Sequence, residues 1–149
     1  MPLWSTYLGT GAYEYGADCA VDAGGNLYVC GMSNAAAYLA KFNPDGTLFW
    51  ERTLNGSGEE RALGIAVTAA GEVFIVGPTY SSNLPVSGGY DSTHNGSLDA
   101  FVAKYDADGT LLWGSFLGGS LGDAAQQAAV DTAGNLLLSG YTSSTDFPT

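Results

Sequence analysis

One twelve-residue pattern occurs three times in this chain, and any fold it adopts has to accommodate all three copies. Residues 20–31 (AVDAGGNLYVCG) return as residues 66–77 (AVTAAGEVFIVG) and as residues 129–140 (AVDTAGNLLLSG), at offsets of 46 and 63. Trp4, Trp50 and Trp113 repeat at the same two offsets. A second block, residues 37–50 (AYLAKFNPDGTLFW), returns as residues 100–113 (AFVAKYDADGTLLW), and no third copy follows Gly140.

Each repeat reads as four short strands. In the first repeat they are residues 17–22, 26–31, 37–43 and 47–54, joined by Gly/Asn and Pro-Asp-Gly turns. Asp-Gly and Gly-Asn punctuation between β-branched and aromatic runs is a strong hairpin signal. Apolar residues in the first two strands are nearly continuous, as in residues 64–67 and 73–76, which predicts strands buried on both faces. Four strands per period of about 40 to 50 residues is the pattern of a propeller blade. The expected fold class is therefore all-β: a β-propeller segment of about two and a half to three four-stranded blades within a single domain, residues 1–149, with repeats near 4–50, 51–113 and 114–149.

The longer offset comes from one insertion. Gly31 to Ala37 spans six residues and Gly77 to Ala100 spans 23, so 17 extra residues fall between the second and third strands of the second repeat. A connection that long is usually functional or disordered. After Gly140 the third repeat enters the same connection, with residues 141–148 overlying 78–85, and stops before its last two strands. Open blade edges favour association, so a homodimer or other ring-completing oligomer is an expected partner, with the strand around Trp4 donated across the junction.

Composition narrows the partners. Four basic residues against fifteen acidic ones give a net charge of −11, which argues against nucleic acid and anionic membrane surfaces. No stretch approaches the ~20 apolar residues of a spanning helix, and residues 1–4 (MPLW) lack the basic-then-apolar start of an export signal, so neither membrane insertion nor a leader is expected. Protein or neutral carbohydrate remains as a partner.

Candidate site residues cluster in the connections. Glu14, Glu60 and Asp123 each stand seven residues before the valine of the Ala-Val pair, on the face where the long insertion also emerges. Such a ring of acids can hold a cation or a sugar, or it can cap turns. Tyr80, Tyr90 and His94, the only histidine, lie in the insertion. Tyrosines of this kind stack on sugar rings or pack a loop, while a lone histidine without nucleophile or metal partner reads as a loop residue. Residues 43–46 (NPDG) and Asp106 with Asp108 resemble the opening of a calcium loop, but an Asp-Gly hairpin explains them too. No other cofactor is indicated. Cys19 and Cys30 are expected opposite each other across the first hairpin, as a packed pair or a disulfide.

Residues 113–120 (WGSFLGGS), 129–135 (AVDTAGN), 140–148 (GYTSSTDFP) and 99–104 (DAFVAK) together resemble the bacterial SBBP repeats, named for seven-bladed β-propellers. The Asp-Gly turns ending in tryptophan are more weakly similar to quinoprotein-like repeats. The first resemblance implies propeller architecture, in exported, cell-surface or periplasmic bacterial proteins, with no shared activity. The expected function is a non-catalytic scaffolding or binding module. The alternative is a propeller hydrolase or lyase with an acidic central site, which needs two carboxylates about 5 to 10 Å apart.

Overall fold

Ten strands form three antiparallel sheets in the computed structural model, which describes residues 4–6, 9 and 13–148. Met1 to Leu3, read above for an export signal, lie outside the described residues. The first blade is β1 (Glu14–Val21), β2 (Leu27–Ser33), β3 (Ala36–Phe42) and β4 (Leu48–Leu54), hydrogen-bonded in that order. The second is β5 (Gly64–Val67), β6 (Val73–Thr79), β7 (Asp99–Tyr105) and β8 (Leu111–Leu117). The third is a half-blade, β9 (Asp123–Val130) with β10 (Leu136–Thr142). The two four-stranded sheets are propeller blades and the third sheet is half of one, as the repeat predicts, and β1 lies against β5 and β5 against β9.

The turns explain why the strands stop where they do. In five of the hairpins within blades, an Asp, Asn or Thr carbonyl accepts a bond from a glycine amide three residues on; examples are Gly25 to Asp22 at 3.0 Å and Gly46 to Asn43 at 2.9 Å. Each of those glycines has φ between 81° and 85°, which a residue with a Cβ rarely adopts.

A second glycine sets the register. A Cβ on Gly31 would lie 1.9 Å from the carbonyl oxygen of Tyr15, one on Gly77 1.7 Å from that of Arg61, and one on Gly140 2.0 Å from that of Ala124. At each place the inner strand presses its backbone onto the second strand. In the first and third blades the pairing shifts by one there, between Gly16 and Asp18 and opposite Ser139 and Gly140.

The register of the first hairpin corrects the cysteine expectation. Cys19 pairs with Val29, and Cys30 with Asp18, so the two thiols belong to opposite faces of the hairpin. Both cysteines are free, Cys19 exposed and Cys30 buried. The Cys30 sulfur lies 3.5 Å from the Ala62 carbonyl oxygen, and burial pushes its thiol up to about 12, with Asp18 adding to the rise.

Blades are joined by their outer ends. The Trp50 indole donates to the carbonyl of Ala107, in the β7–β8 turn of the next blade, at 3.1 Å. Lys41 Nζ donates to the same oxygen at 3.1 Å, and Arg52 to the Gly109 carbonyl at 2.7 Å. A Cβ on Gly109 would meet the Trp50 ring at 2.9 Å, so the turn glycine also makes room for the indole. Trp4 repeats the contact one blade earlier, donating to the Pro44 carbonyl at 3.2 Å beside Gly46.

Burial follows position in the stack. All seven residues of β6 are buried between neighbouring blades, whereas six of the seven in β10, the equivalent strand, are exposed. One core joins Tyr28, Leu39 and Trp50 of the first blade to Ile65, Ile75 and Phe101 of the second. A second core joins Phe74, Val76 and Val102 to Ala125 of the half-blade.

Two outcomes are expected. Trp50→Ala, at 8% exposure, lowers stability by about 3–5 kcal/mol in urea unfolding, and Trp113→Ala, half-exposed, by about 1–2 kcal/mol. Equal losses would refute the stacking account. In native buffer a thiol-labelling reagent modifies one cysteine per chain, Cys19, and the second only after denaturation. Two fast-reacting thiols, or none, would contradict the placement.

Candidate functional site

The three repeated acids occupy equivalent places at the starts of β1, just before β5, and β9, where the chain enters each blade. Glu60 is fully buried. Its carboxylate accepts bonds from the Gly56 amide at 2.8 Å, from the Thr79 hydroxyl at 2.9 Å and from the Ser81 hydroxyl. Asp123, also fully buried, accepts from the Gly119 amide at 2.7 Å and the Ser144 hydroxyl at 2.8 Å. Glu14 is half-buried and accepts from Ser33 at 3.0 Å.

Glu60 and Asp123 thus each tie the loop into their blade to the end of the second strand and the loop that leaves it. Asn83 completes the clasp of the second blade, taking the Ser57 amide at 2.9 Å, and Asp146 takes the Ser120 amide at 2.9 Å in the half-blade. Burial raises the Asp123 carboxyl, and the surrounding Thr142 and Ser144 hydroxyls and Gly119 amide outweigh it, holding the group below its ordinary value. A buried carboxylate supplied with donors is stable as the anion.

The insertion carries its own acid, which the sequence reading did not single out. Asp99, fully buried at the start of β7, accepts from the Asn95 amide at 2.8 Å and the Gly96 amide at 3.1 Å. A Cβ on Gly118 would lie 2.7 Å from Asp99 Oδ1 and 3.1 Å from Asp123 Oδ2, so this glycine lets two acid clasps approach each other. The signal was present: the first repeat lacks the insertion and has Ala36 where the second has Asp99.

Of the remaining candidates, His94 is half-buried, its Nε2 3.3 Å from the Thr79 carbonyl oxygen and its ring edge-on to Phe116 at 5.6 Å. Glu60 and His94 therefore flank Thr79 from its two ends, side chain and carbonyl. Tyr80 and Tyr90 are 56% and 78% exposed, Tyr80 beside the Glu60 clasp and Tyr90 at the far end of the insertion. The insertion runs beside β8 over Ser87 to Asp91, with the Gly114 amide donating to Ser87 at 3.1 Å and the Phe116 amide to Asp91 at 2.9 Å. Asp106 accepts the Asp108 amide at 3.0 Å and the Thr110 amide at 2.7 Å, and Asp45 accepts the Thr47 amide at 3.0 Å. These carboxylates cap their own turns.

Turn capping gives a pH dependence with a definite sign. The Asn135 side chain and amide at Asp131, and the Thr110 amide at Asp106, hold each carboxyl below its ordinary 3.8. At Asp22 burial acts the other way and is outweighed by the Asn26 side chain and amide. A depressed folded pKa adds stability that is complete above the unfolded value and is lost as pH falls through the folded one. Denaturation midpoints should hold from pH 7 to about 5 and fall below about 4, less steeply in Asp131→Asn. A midpoint unchanged down to about pH 2.5 would contradict the turn caps.

Comparison with known proteins agrees with the architecture. Residues 3–37 match the SBBP β-propeller repeat, and residues 86–111 match a β-propeller domain of unknown function, DUF5122. No curated protein matches the chain. Two complete blades, a half-blade of the same pattern and two propeller-repeat matches identify the chain as a β-propeller repeat protein.

Proposed function

We propose that this chain is a non-catalytic propeller module that uses no cofactor. It presents its loop face to a protein or neutral carbohydrate and joins further blades through its open ends. The observation that carries the reading is the condition of Glu60 and Asp123. Both are fully buried; the Glu60 carboxylate is taken up by an amide and two hydroxyls of its own loops, and Asp123 Oδ2 by the Gly119 amide and the Ser144 hydroxyl, while Asp123 Oδ1 has no hydrogen-bond partner among the described residues. A hydrolase or lyase would need such a pair at the surface of a cleft, one to protonate and one to attack or activate water. What the molecule does expose is Tyr80, beside the Glu60 clasp on the loop face, and Tyr90, where the insertion runs along β8, aromatic surfaces with polar tips. An exported or surface-attached setting, as the repeat resemblance implies, suits such a display.

The test pairs two readouts. Against chromogenic glycosides and soluble neutral polysaccharides, the chain should give no turnover, and retardation in affinity electrophoresis should disappear in Tyr80→Ala with Tyr90→Ala. Turnover that Glu60→Gln with Asp123→Asn abolishes, while circular dichroism stays native, would replace this reading with the enzymatic one.

A further inference from the structure

The contact between the first two blades contains a socket that the chain builds again and leaves open. Phe101 of β7 is fully buried, shares a core with Ala37 and Leu54 of the first blade, and pairs with Gly77 of β6. At an offset of 63 those three partners become Ala100, Leu117 and Gly140. These residues line a groove of about 250 Å³, together with Leu138 and Tyr141. The groove runs beside β10, which among the described residues pairs only with β9, and Leu137, Leu138 and Tyr141 are 57%, 37% and 51% exposed there.

The rest of the blade contact is duplicated too. Lys41 and Trp50 grip the Ala107 carbonyl of the next turn. Their counterparts are Lys104, which turns back to Glu72 at 2.8 Å, and Trp113, which touches Phe74 edge-on at 6.0 Å. The Trp113 indole has no hydrogen-bond partner among the described residues.

From this continuity we propose that β10 and its groove are a docking site for a β-hairpin with the third-and-fourth-strand pattern of this repeat. The register is fixed by the two complete blades. Gly31 pairs with Tyr38 and Gly77 with Phe101, and Leu27 pairs with Phe42 and Val73 with Tyr105. On β10, one aromatic residue of the guest therefore lies opposite Gly140 and fills the socket, and a second lies opposite Leu136. The Asp-Gly turn of the guest brings a carbonyl to the Trp113 indole and Lys104. A second copy of this chain is a poor guest, because β3 and β7 are each paired on both sides within their blades. The inference rests on the module reading above and specifies what its open end accepts.

The probe is a labelled peptide spanning residues 97–118, titrated against the intact chain by fluorescence anisotropy. Saturable one-to-one binding in the micromolar range is expected, weakened about tenfold or more by Phe101→Asp in the peptide and several-fold by Trp113→Phe in the protein. Because an isolated hairpin is marginally stable, a second measurement uses the chain extended after Thr149 by a copy of residues 87–118, which keeps the 63-residue register. Its Tm should rise by about 5 °C or more, and that gain should vanish when the appended copy carries the Phe101→Asp change. No peptide binding together with no gain in Tm overturns the proposal. So does binding indifferent to Phe101→Asp, or a dimer of the unextended chain that excludes the peptide. None of these outcomes touches the turnover and polysaccharide readouts, so failure here and failure of the module reading are distinguishable.

Discussion

The whole arrangement depends on an indole reaching across from one sheet to the turn of the next. Strands within a blade are held by their own ladder, but a flat four-stranded sheet has two apolar faces and nothing in its ladder orients a neighbour. Trp50 does that at the outer end by donating to Ala107 and lying against Gly109, while Lys41 and Arg52 add charge-assisted bonds to the same turn. These are directional contacts with backbone groups, so they fix distance and angle where apolar packing alone would allow sliding. At the inner end, Gly64 lets β9 close on β5, since a Cβ there would lie 2.8 Å from Gln127 Cα. Outer bonds and inner glycines together set the pitch of the stack.

Much of this was legible before any coordinates. The offsets of 46 and 63 predict four strands per repeat, and the tryptophans recur at the same offsets because Trp4 and Trp50 make the same bond to a turn carbonyl. What the residues did not disclose was the one-residue shift in the first hairpin. The turn closes with Val21 opposite Leu27, one residue off the count that sets Cys19 opposite Cys30, so Cys19 meets Val29 before the bulge is reached. The inner strand also begins at Glu14 rather than at residue 17, because pairing resumes beyond the bulge.

The acids illustrate a different limit. Their equivalent spacing was plain, and so was the recurrence of residues 78–85 in 141–148. That these two signals were halves of one clasp was not, since nothing in a linear pattern says that Ser81 and Thr79 turn back to Glu60. Of carboxylates that could line a ligand ring or cap turns, Glu60 and Asp123 do the second, each binding the backbone of its own entry loop. Asp99 escaped notice because its partners, the amides of Asn95 and Gly96, carry no side-chain signature.

The path of the insertion along β8 bears on how this molecule avoids sticking to others. An outermost strand offers a row of free amides and carbonyls to any passing strand, the usual route to lateral aggregation. In the second blade that row is occupied by Ser87 and Asp91, and Gly114 leaves space for Val86 to lie close by. The first blade has no insertion, and the position of Gly114 is taken by Glu51, followed by Arg52, on an edge that also shows Leu48 and Phe49. Charge does there what a covering loop does in its neighbour. A repeat can thus gain or lose its long connection as long as its rim gains or loses charge in step, which frees that loop to vary for recognition.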